Sequence, residues 1–167
     1  MANPLLETHE LPPFSAIKPE HVEPAIRQLI DENRAHRERL LDGLSQPTWD
    51  NFVAPLEAEE DRLEQAWSPV SHLNAVVNSE ALREAYNASV ALLTEYNTEV
   101  SQDRRLYEAF QAIADSPEYD QLSQAQRQSI DYALREFRLG GVALEGEAKK
   151  RYGQIKKRLS ELSTQFA

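Results

Sequence analysis

Apolar residues recur along this chain at intervals of three and four rather than two. Near its end, Tyr152, Ile155, Leu159, Leu162 and Phe166 follow one another at spacings of three, four, three and four residues. This rhythm places all five side chains on one face of a helix. The alternating apolar and polar runs that indicate strands, and hairpin turns between such runs, are missing from the sequence. We therefore predict an all-α fold, a multi-helix antiparallel bundle or array.

The same periodicity predicts six helices joined by short connections, which favour antiparallel neighbours. They begin near Pro19, Thr48, Ser79, Asp103, Ser123 and Glu145. The predicted inward positions before the last helix are Val22, Ile26, Leu29, Ile30, Leu40, Leu41, Phe52, Leu56, Leu63, Trp67, Leu82, Tyr86, Val90, Leu93, Val100, Leu106, Phe110, Ile113, Ile130, Leu134 and Phe137. Gly43, Ser116-Pro117 and Gly140-Gly141 are typical of helix ends. Pro55 and Pro69 should each kink or break the second helix.

Residues 1–18 are predicted to form an extended, proline-rich arm rather than a helix. Pro4, Pro12 and Pro13 prevent regular helix and push the residues before them toward extended geometry. The apolar residues of the arm, Leu5, Leu6, Leu11, Phe14 and Ile17, are too many for a free tail. We therefore expect the arm to lie on the body of a single helical domain that spans residues 1–167.

The last helix has no stop signal. A helix usually ends with Gly or Asn just past its last turn, or with Pro soon afterwards. Only Ala167 follows Phe166, while the apolar stripe is still running. We expect this helix to be truncated, and the chain to be a fragment of a longer protein.

Composition excludes several classes of function. The chain has no Cys, which rules out disulfides, thiolate zinc sites and a Cys nucleophile, and which fits a reducing compartment. The net charge of −10 repels phosphate backbones, so no nucleic-acid partner is expected. No apolar run approaches the roughly 20 residues that span a bilayer, and the first residues lack the pattern of a signal peptide. We predict a cytoplasmic protein with no membrane partner.

Candidate chemistry is sparse. No two of the four histidines have helical spacing for a shared metal; they are His9, His21, His36 and His72. Four carboxylates share one face of the second helix, namely Glu57, Glu60, Asp61 and Glu64. They could bind a hard cation, but a solvated face is favoured, since nothing in the sequence indicates a dry pocket. The nucleophile-elbow and phosphate-loop motifs are missing.

Three polar groupings leave alternatives open. The first interrupts the stripe of the first helix at Asn33, His36 and Arg37, and a solvated stretch is favoured over a cavity. The second is the basic group of the last helix, for which a solvated face is favoured over an anion site; its members are Lys149, Lys150, Arg151, Lys156, Lys157 and Arg158. The third is WSPVSHLNAVVNS, from Trp67 to Ser79. Polar residues there either satisfy carbonyls freed by Pro69, which is favoured, or line a cleft.

The third grouping also carries a resemblance. SPVSHLN, from Ser68 to Asn74, resembles a signature of the N-terminal region of bacterial zinc metallopeptidases of the thimet oligopeptidase/neurolysin family. Other segments resemble that region in the same order: NPLL at 3–6, LPPF at 11–14, PEHV at 19–22, LREAY at 82–86, ALR at 133–135, RYG at 151–153 and RLSEL at 158–162. The resemblance covers essentially the whole chain, and its specificity comes from the order and spacing of the pieces.

The resemblance implies an N-terminal, non-catalytic domain of a cytoplasmic zinc oligopeptidase that hydrolyses short unstructured peptides, including released signal peptides. In that family, an H-E-x-x-H helix and a further Glu lie far beyond this region, hold the zinc and supply the general base. No catalytic, cofactor-binding or metal residue is therefore carried onto this chain, which is expected to be inactive alone. Its expected role is one wall of the substrate channel, and its expected partners are the catalytic domain of the same polypeptide and oligopeptide substrates.

One alternative stays open, an independent helical module that binds another protein through an exposed groove. The apolar stripe of the last helix suits this alternative too, because something must cover it. A stop codon directly after Ala167 would favour the module, whereas an open reading frame that continues into an H-E-x-x-H segment would favour the enzyme.

Overall fold

The computed structural model describes residues 3–77 and 79–166, and every regular element in these two ranges is helical, as predicted. The six α-helices of these ranges are α1 (Pro19–Asp42), α2 (Ala54–Val76), α3 (Glu80–Ser101), α4 (Arg104–Ala114), α5 (Gln124–Leu139) and α6 (Gly146–Phe166). A π-helical turn, Trp49–Val53, leads into α2, and 3₁₀ turns occupy Pro4–Leu6, Phe14–Ala16 and Tyr119–Gln121. The first two residues of the predicted arm and Ala167 lie outside the described residues.

Local capping fixes most of the helix starts. Ser79 Oγ accepts a hydrogen bond from the Leu82 N–H at 3.2 Å and caps α3. Ser123 and Gln126 form a reciprocal capping box at the start of α5, with bonds of 3.3 and 2.9 Å. Thr48 caps the π turn rather than an α-helix. These polar caps satisfy the first N–H groups of each helix, which have no partner within it.

Glycine ends two helices in different ways. After α5, the Val142 N–H donates to the Phe137 carbonyl at 3.0 Å, and Gly141 takes a φ of +83°, which only glycine adopts readily. Gly43, by contrast, is the C-cap of α1 with a φ of −90°. The sequence therefore located both ends, and of these two ends only the one after α5 has a glycine in left-handed geometry.

Neither Pro55 nor Pro69 breaks the second helix, so that half of the prediction of a kink or a break is wrong. Pro55 lies in the first turn of α2, where its missing N–H would have had no helical partner. Pro69 lies inside α2, which continues to Val76. Pro69 is buried among the core residues beside Val70, so its ring contributes packing where it removes a hydrogen bond.

The buried side chains form two clusters. The first, at the junction of α1, α2 and α3 with the arm, contains Leu5, Ile17, Val22, Ala25, Ile26, Leu29, Ile30, Leu63, Ala66, Val70, Leu82 and Tyr96. The second joins the π turn to α4 and α5 and contains Phe52, Val53, Leu106, Ala109, Phe110, Ile113, Ile130, Leu134 and Phe137. Val100 packs against both clusters. Full burial of each large apolar side chain is worth about 1.5–3 kcal/mol, so these clusters stabilise the helix arrangement.

The arm lies on the body, as expected for so apolar a segment. Leu5 and Ile17 belong to the first cluster, whereas Leu11 remains 80% exposed. Asn3 anchors the arm, since its Nδ2 donates to the carbonyl of His21 at 2.8 Å. In the described residues, none of the helices combines the length and the apolar character needed to cross a membrane.

Helix α6 packs on α3 through small and polar residues. Thr94 Oγ1 of α3 and Ser160 Oγ of α6 are hydrogen-bonded at 2.9 Å. Gly153, Lys157 and Thr164 line the same α3–α6 groove. The apolar stripe therefore lies on the other side of α6, where Ile155, Leu159 and Phe166 are exposed. All six members of the basic group are exposed as well.

Candidate functional site

The polar break in the α1 stripe is buried, so the prediction of a solvated stretch is wrong. Asn33 and Arg37 are each 4% exposed. The partners of Arg37 come from α3 and from the residue just before α4, which no pattern within α1 reveals. A buried charge must be paired, and the tertiary structure supplies that pairing here.

Arg37 is held by charge and by an aromatic ring. Its Nη2 donates to Glu99 Oε1, and its Nε lies 3.8 Å from Asp103 Oδ2. Its guanidinium lies 5.8 Å from the ring centroid of Tyr96, a cation–π distance. Arg34 binds the other oxygen of Glu99, with Nη2 2.9 Å from Oε2. This network fixes the middle of α1 to the C-terminal half of α3.

A polar cavity of about 290 Å³ lies beside this network, between the two apolar clusters. Its lining is Asn33, His36, Arg37, Leu56, Glu57, Glu59, Glu60, Tyr96, Asn97, Val100, Ser101, Leu106, Phe110, Ser129, Ala133, Glu136 and Phe137. Asn33 Oδ1, His36 Nδ1 and two nitrogens of Arg37 are buried there without a protein hydrogen-bond partner. Cavities this polar and roomy hold ordered water, which can partner such atoms.

A groove of about 710 Å³ between α2 and α3 adjoins the cavity and shares Glu57, Glu60 and Tyr96 with it. The groove is lined by the whole acidic face of α2 that the sequence singled out, including Asp61 and Glu64. Aromatic surface faces the same groove, where the rings of Trp67 and Tyr86 stack with centroids 4.9 Å apart. The structure thus combines carboxylates with aromatic surface, which the sequence did not predict.

Glu60 is the carboxylate most affected by its surroundings. Desolvation by nearby protein atoms raises the pKa of Glu60, and the neighbouring Glu57 raises it further, although the residue is exposed to water. Glu57 itself accepts a hydrogen bond from Ser129 Oγ at 2.7 Å. All four carboxylates of this face are exposed, so the prediction of a solvated face is confirmed, and Glu60 differs from the others only in the direction of its pKa shift.

Glu60→Gln is expected to stabilise the chain at neutral pH. Because the pKa of Glu60 is higher in the folded than in the unfolded state, stability falls as the pH rises through that interval. The substitution should raise the melting temperature at pH 7, and the gain should disappear below pH 4.5, the ordinary pKa, where the carboxyl is protonated in both states. Glu64→Gln is the control, since it changes the net charge equally at an exposed site on the same helix. Equal gains in both variants would contradict this expectation.

The stretch from Trp67 to Ser79 lies mostly within α2, and the structure favours the cleft. Ser68, Pro69 and His72 line a cleft of about 680 Å³ between α2 and the arm. The ring of His72 lies 5.4 Å from that of Phe14 in the arm. Asn74 Oδ1 is buried without a hydrogen-bond partner. Asn78 lies outside the described residues.

Comparison with known proteins decides the family. The model of the neurolysin/thimet oligopeptidase N-terminal domain matches residues 26–149, well over half of the chain. The chain belongs to the neurolysin/thimet oligopeptidase family. The match runs from within α1 to the first turn of α6, so it includes the second apolar cluster, the polar cavity and the part of the first cluster from Ile26 onward.

Relatives in this family match the chain from end to end. It is 50% identical to oligopeptidase A of Haemophilus influenzae and 46% identical to oligopeptidase A of Escherichia coli, in each case over all of its length. It is 33% identical to a probable cytosolic oligopeptidase A of Arabidopsis thaliana over 99% of its length. The chain spans about a quarter of each of these relatives, 24%, 25% and 24% respectively.

Proposed function

We propose that residues 1–167 form the N-terminal, non-catalytic domain of a cytoplasmic zinc oligopeptidase that hydrolyses short, unstructured peptides, including released signal peptides. The observation that carries this proposal is the match of the entire chain to about a quarter of oligopeptidase A in two bacteria. The role of this domain would be structural: it would form one wall of the channel that admits the peptide.

The open surfaces of the domain suit such a wall. The α2–α3 groove offers carboxylates and aromatic rings along two long helices, and it is continuous with the polar cavity. An extended peptide presents N–H groups, apolar side chains and a cationic amino terminus, which such a surface can contact. Carboxylates at the rim would attract the amino terminus, while rings such as Trp67 would pack on apolar side chains.

Zinc would be held by another part of the polypeptide. Across residues 3–77 and 79–166, no three His, Asp or Glu side chains gather in a way that could hold a metal ion. A catalytic zinc requires three protein ligands and an open position. The described residues therefore do not provide that set of ligands. When bound elsewhere, zinc would polarise the scissile carbonyl and activate water.

The test is peptide hydrolysis by the intact polypeptide, expressed from the complete reading frame. We expect it to cleave a short fluorogenic peptide, to lose that activity with a zinc chelator and to regain it when zinc is added back. The 167-residue chain should show no zinc-dependent cleavage. Turnover by this chain alone would contradict the proposal, as would an intact polypeptide without chelator-sensitive activity.

The alternative is an independent module that binds another protein. The exposed apolar residues of α6 favour it, because such faces are often covered by a partner. The reading frame separates the two functions: a stop codon directly after Ala167 supports the module, whereas continuation into an H-E-x-x-H segment supports the peptidase.

A further inference from the structure

Helix α6 has two faces of opposite character. The face toward α3 carries Gly153, Lys157, Ser160 and Thr164. The other, here named the α6 apolar face, carries Tyr152, Ile155, Leu159, Leu162 and Phe166. Ile155 and Lys157 lie two residues apart, about 200° around the helix axis. The two faces therefore point in nearly opposite directions.

Three residues of the α6 apolar face are exposed to solvent, whereas Tyr152 and Leu162 are half-buried. Ile155 is 45% exposed, Leu159 is 55% exposed and Phe166 is 90% exposed. Leu139, at the end of α5, is exposed as well, and its carbonyl accepts a hydrogen bond from Tyr152 Oη at 3.4 Å. The apolar surface thus continues from α6 onto α5, which makes a broad patch of the kind that marks an interface.

The face of α6 toward α3 already makes a hydrogen bond to α3. The hydrogen bond between Thr94 and Ser160 joins α6 to α3 through two small side chains. Turning the helix to bury Leu159 against α3 would break that bond. The exposure of the apolar face is therefore a feature of the packed domain.

The family comparison locates α6 at a boundary. The N-terminal domain model ends at residue 149, in the first turn of α6, whereas the similarity to oligopeptidase A continues to the end of the chain. Most of α6 thus lies beyond the domain model but within the relatives, which are about four times as long as this chain. The natural occupant of the face is the polypeptide that these relatives carry after this region.

We propose that the α6 apolar face is the docking surface for the downstream part of the same polypeptide. That downstream part would contribute an apolar surface surrounded by carboxylates. Carboxylates are expected around that surface because Arg151 and Arg158 flank the apolar stripe of α6 on one side and Lys156 flanks it on the other. Helix α6 would then join the two parts as a shared core element, with α3 on one side and the downstream part on the other. This inference rests on the proposed function, since it requires that downstream part.

The test uses thiol labelling in the intact polypeptide. The 167 residues contain no Cys, and modification at the introduced site is read by peptide mass, so thiols elsewhere do not interfere. Leu159→Cys places a thiol on the apolar face, and Gln154→Cys places one at an exposed site off that face on the same helix. We expect maleimide to modify Leu159→Cys at least about tenfold more slowly than Gln154→Cys, the protection that packing against a domain gives. Ile155→Cys is a second reporter on the same face if Leu159→Cys does not fold.

Each result of the labelling experiment distinguishes between the possible occupants of the α6 apolar face. Equal labelling rates for both sites in a polypeptide that still hydrolyses peptides would overturn the docking surface and leave the proposed function standing. Protection that disappears on dilution would assign the face to a second copy and would also overturn it. Protection that is independent of concentration supports docking within one polypeptide. Absence of chelator-sensitive hydrolysis would count against the proposed function itself, whatever the labelling shows.

Discussion

Phe52→Ala is expected to destabilise the chain by about 3–5 kcal/mol, the usual cost of removing a buried aromatic ring. Phe52 is 0% exposed at the centre of the second apolar cluster. Its ring contacts that of Phe110 edge to face, with centroids 5.3 Å apart. Truncation would leave a cavity between the π turn and the α4–α5 pair, which those helices cannot close without losing other contacts.

Thermal unfolding measures the effect. A domain of this length loses about 2–4 °C of melting temperature per kcal/mol, so Phe52→Ala should unfold roughly 6–20 °C below the parent chain. Phe166→Ala is the matched control, because it removes the same ring from a position that is 90% exposed. The control should change stability by less than about 0.5 kcal/mol. Similar losses in the two variants would show that Phe52 does not occupy the core described above.

Gly140→Ala is expected to destabilise the chain through a steric clash alone. The φ of Gly140 is −69°, which any residue adopts, so no backbone strain is involved. An alanine Cβ would lie 2.7 Å from Ser101 Cβ and 3.1 Å from the Ser101 carbonyl oxygen. Neither atom is the end of a flexible side chain, so α3 and α5 would have to separate. Such overpacking costs about 1–3 kcal/mol.

Gly153→Ala provides the opposite control. It also replaces glycine with alanine, but inside α6, where a new Cβ would meet no atom within 4 Å. Alanine lowers the entropy lost on folding, so this variant should be more stable by about 0.5–1 kcal/mol. Chemical unfolding of the two variants therefore gives shifts of opposite sign. A neutral or stabilising Gly140→Ala would contradict the close approach of Ser101 to the end of α5.

The apolar periodicity was sufficient for the helices and for most of the core. Ile26, Ile113 and Ile130 were placed inside by spacing alone, and all three are fully buried. The caps at Ser79 and Ser123 were readable because an N-cap acts within three or four residues. These features depend on neighbours in sequence, which is why the sequence reveals them.

The polar site was less predictable. Arg37 looked like a solvated residue because its partner Glu99 lies 62 positions away on another helix. The raised pKa of Glu60 could not be predicted, because the α3 residues that line the same groove are not part of the periodic pattern of α2. Pro69 looked like a breaker because its local cost is evident from sequence, while its burial among other helices is not.

By itself the sequence determined that the chain is helical, where most of its helices start, many of the residues in the two apolar clusters and which family it resembles. Only the tertiary structure decided that Arg37 is buried, that Glu60 lies in a groove with aromatic rings and that α6 turns its apolar face outward. The physical reason is the distance along the chain over which each effect acts. Helical periodicity and capping act over a few residues, whereas the rotation of a helix and the burial of a charge depend on partners that packing brings from distant positions.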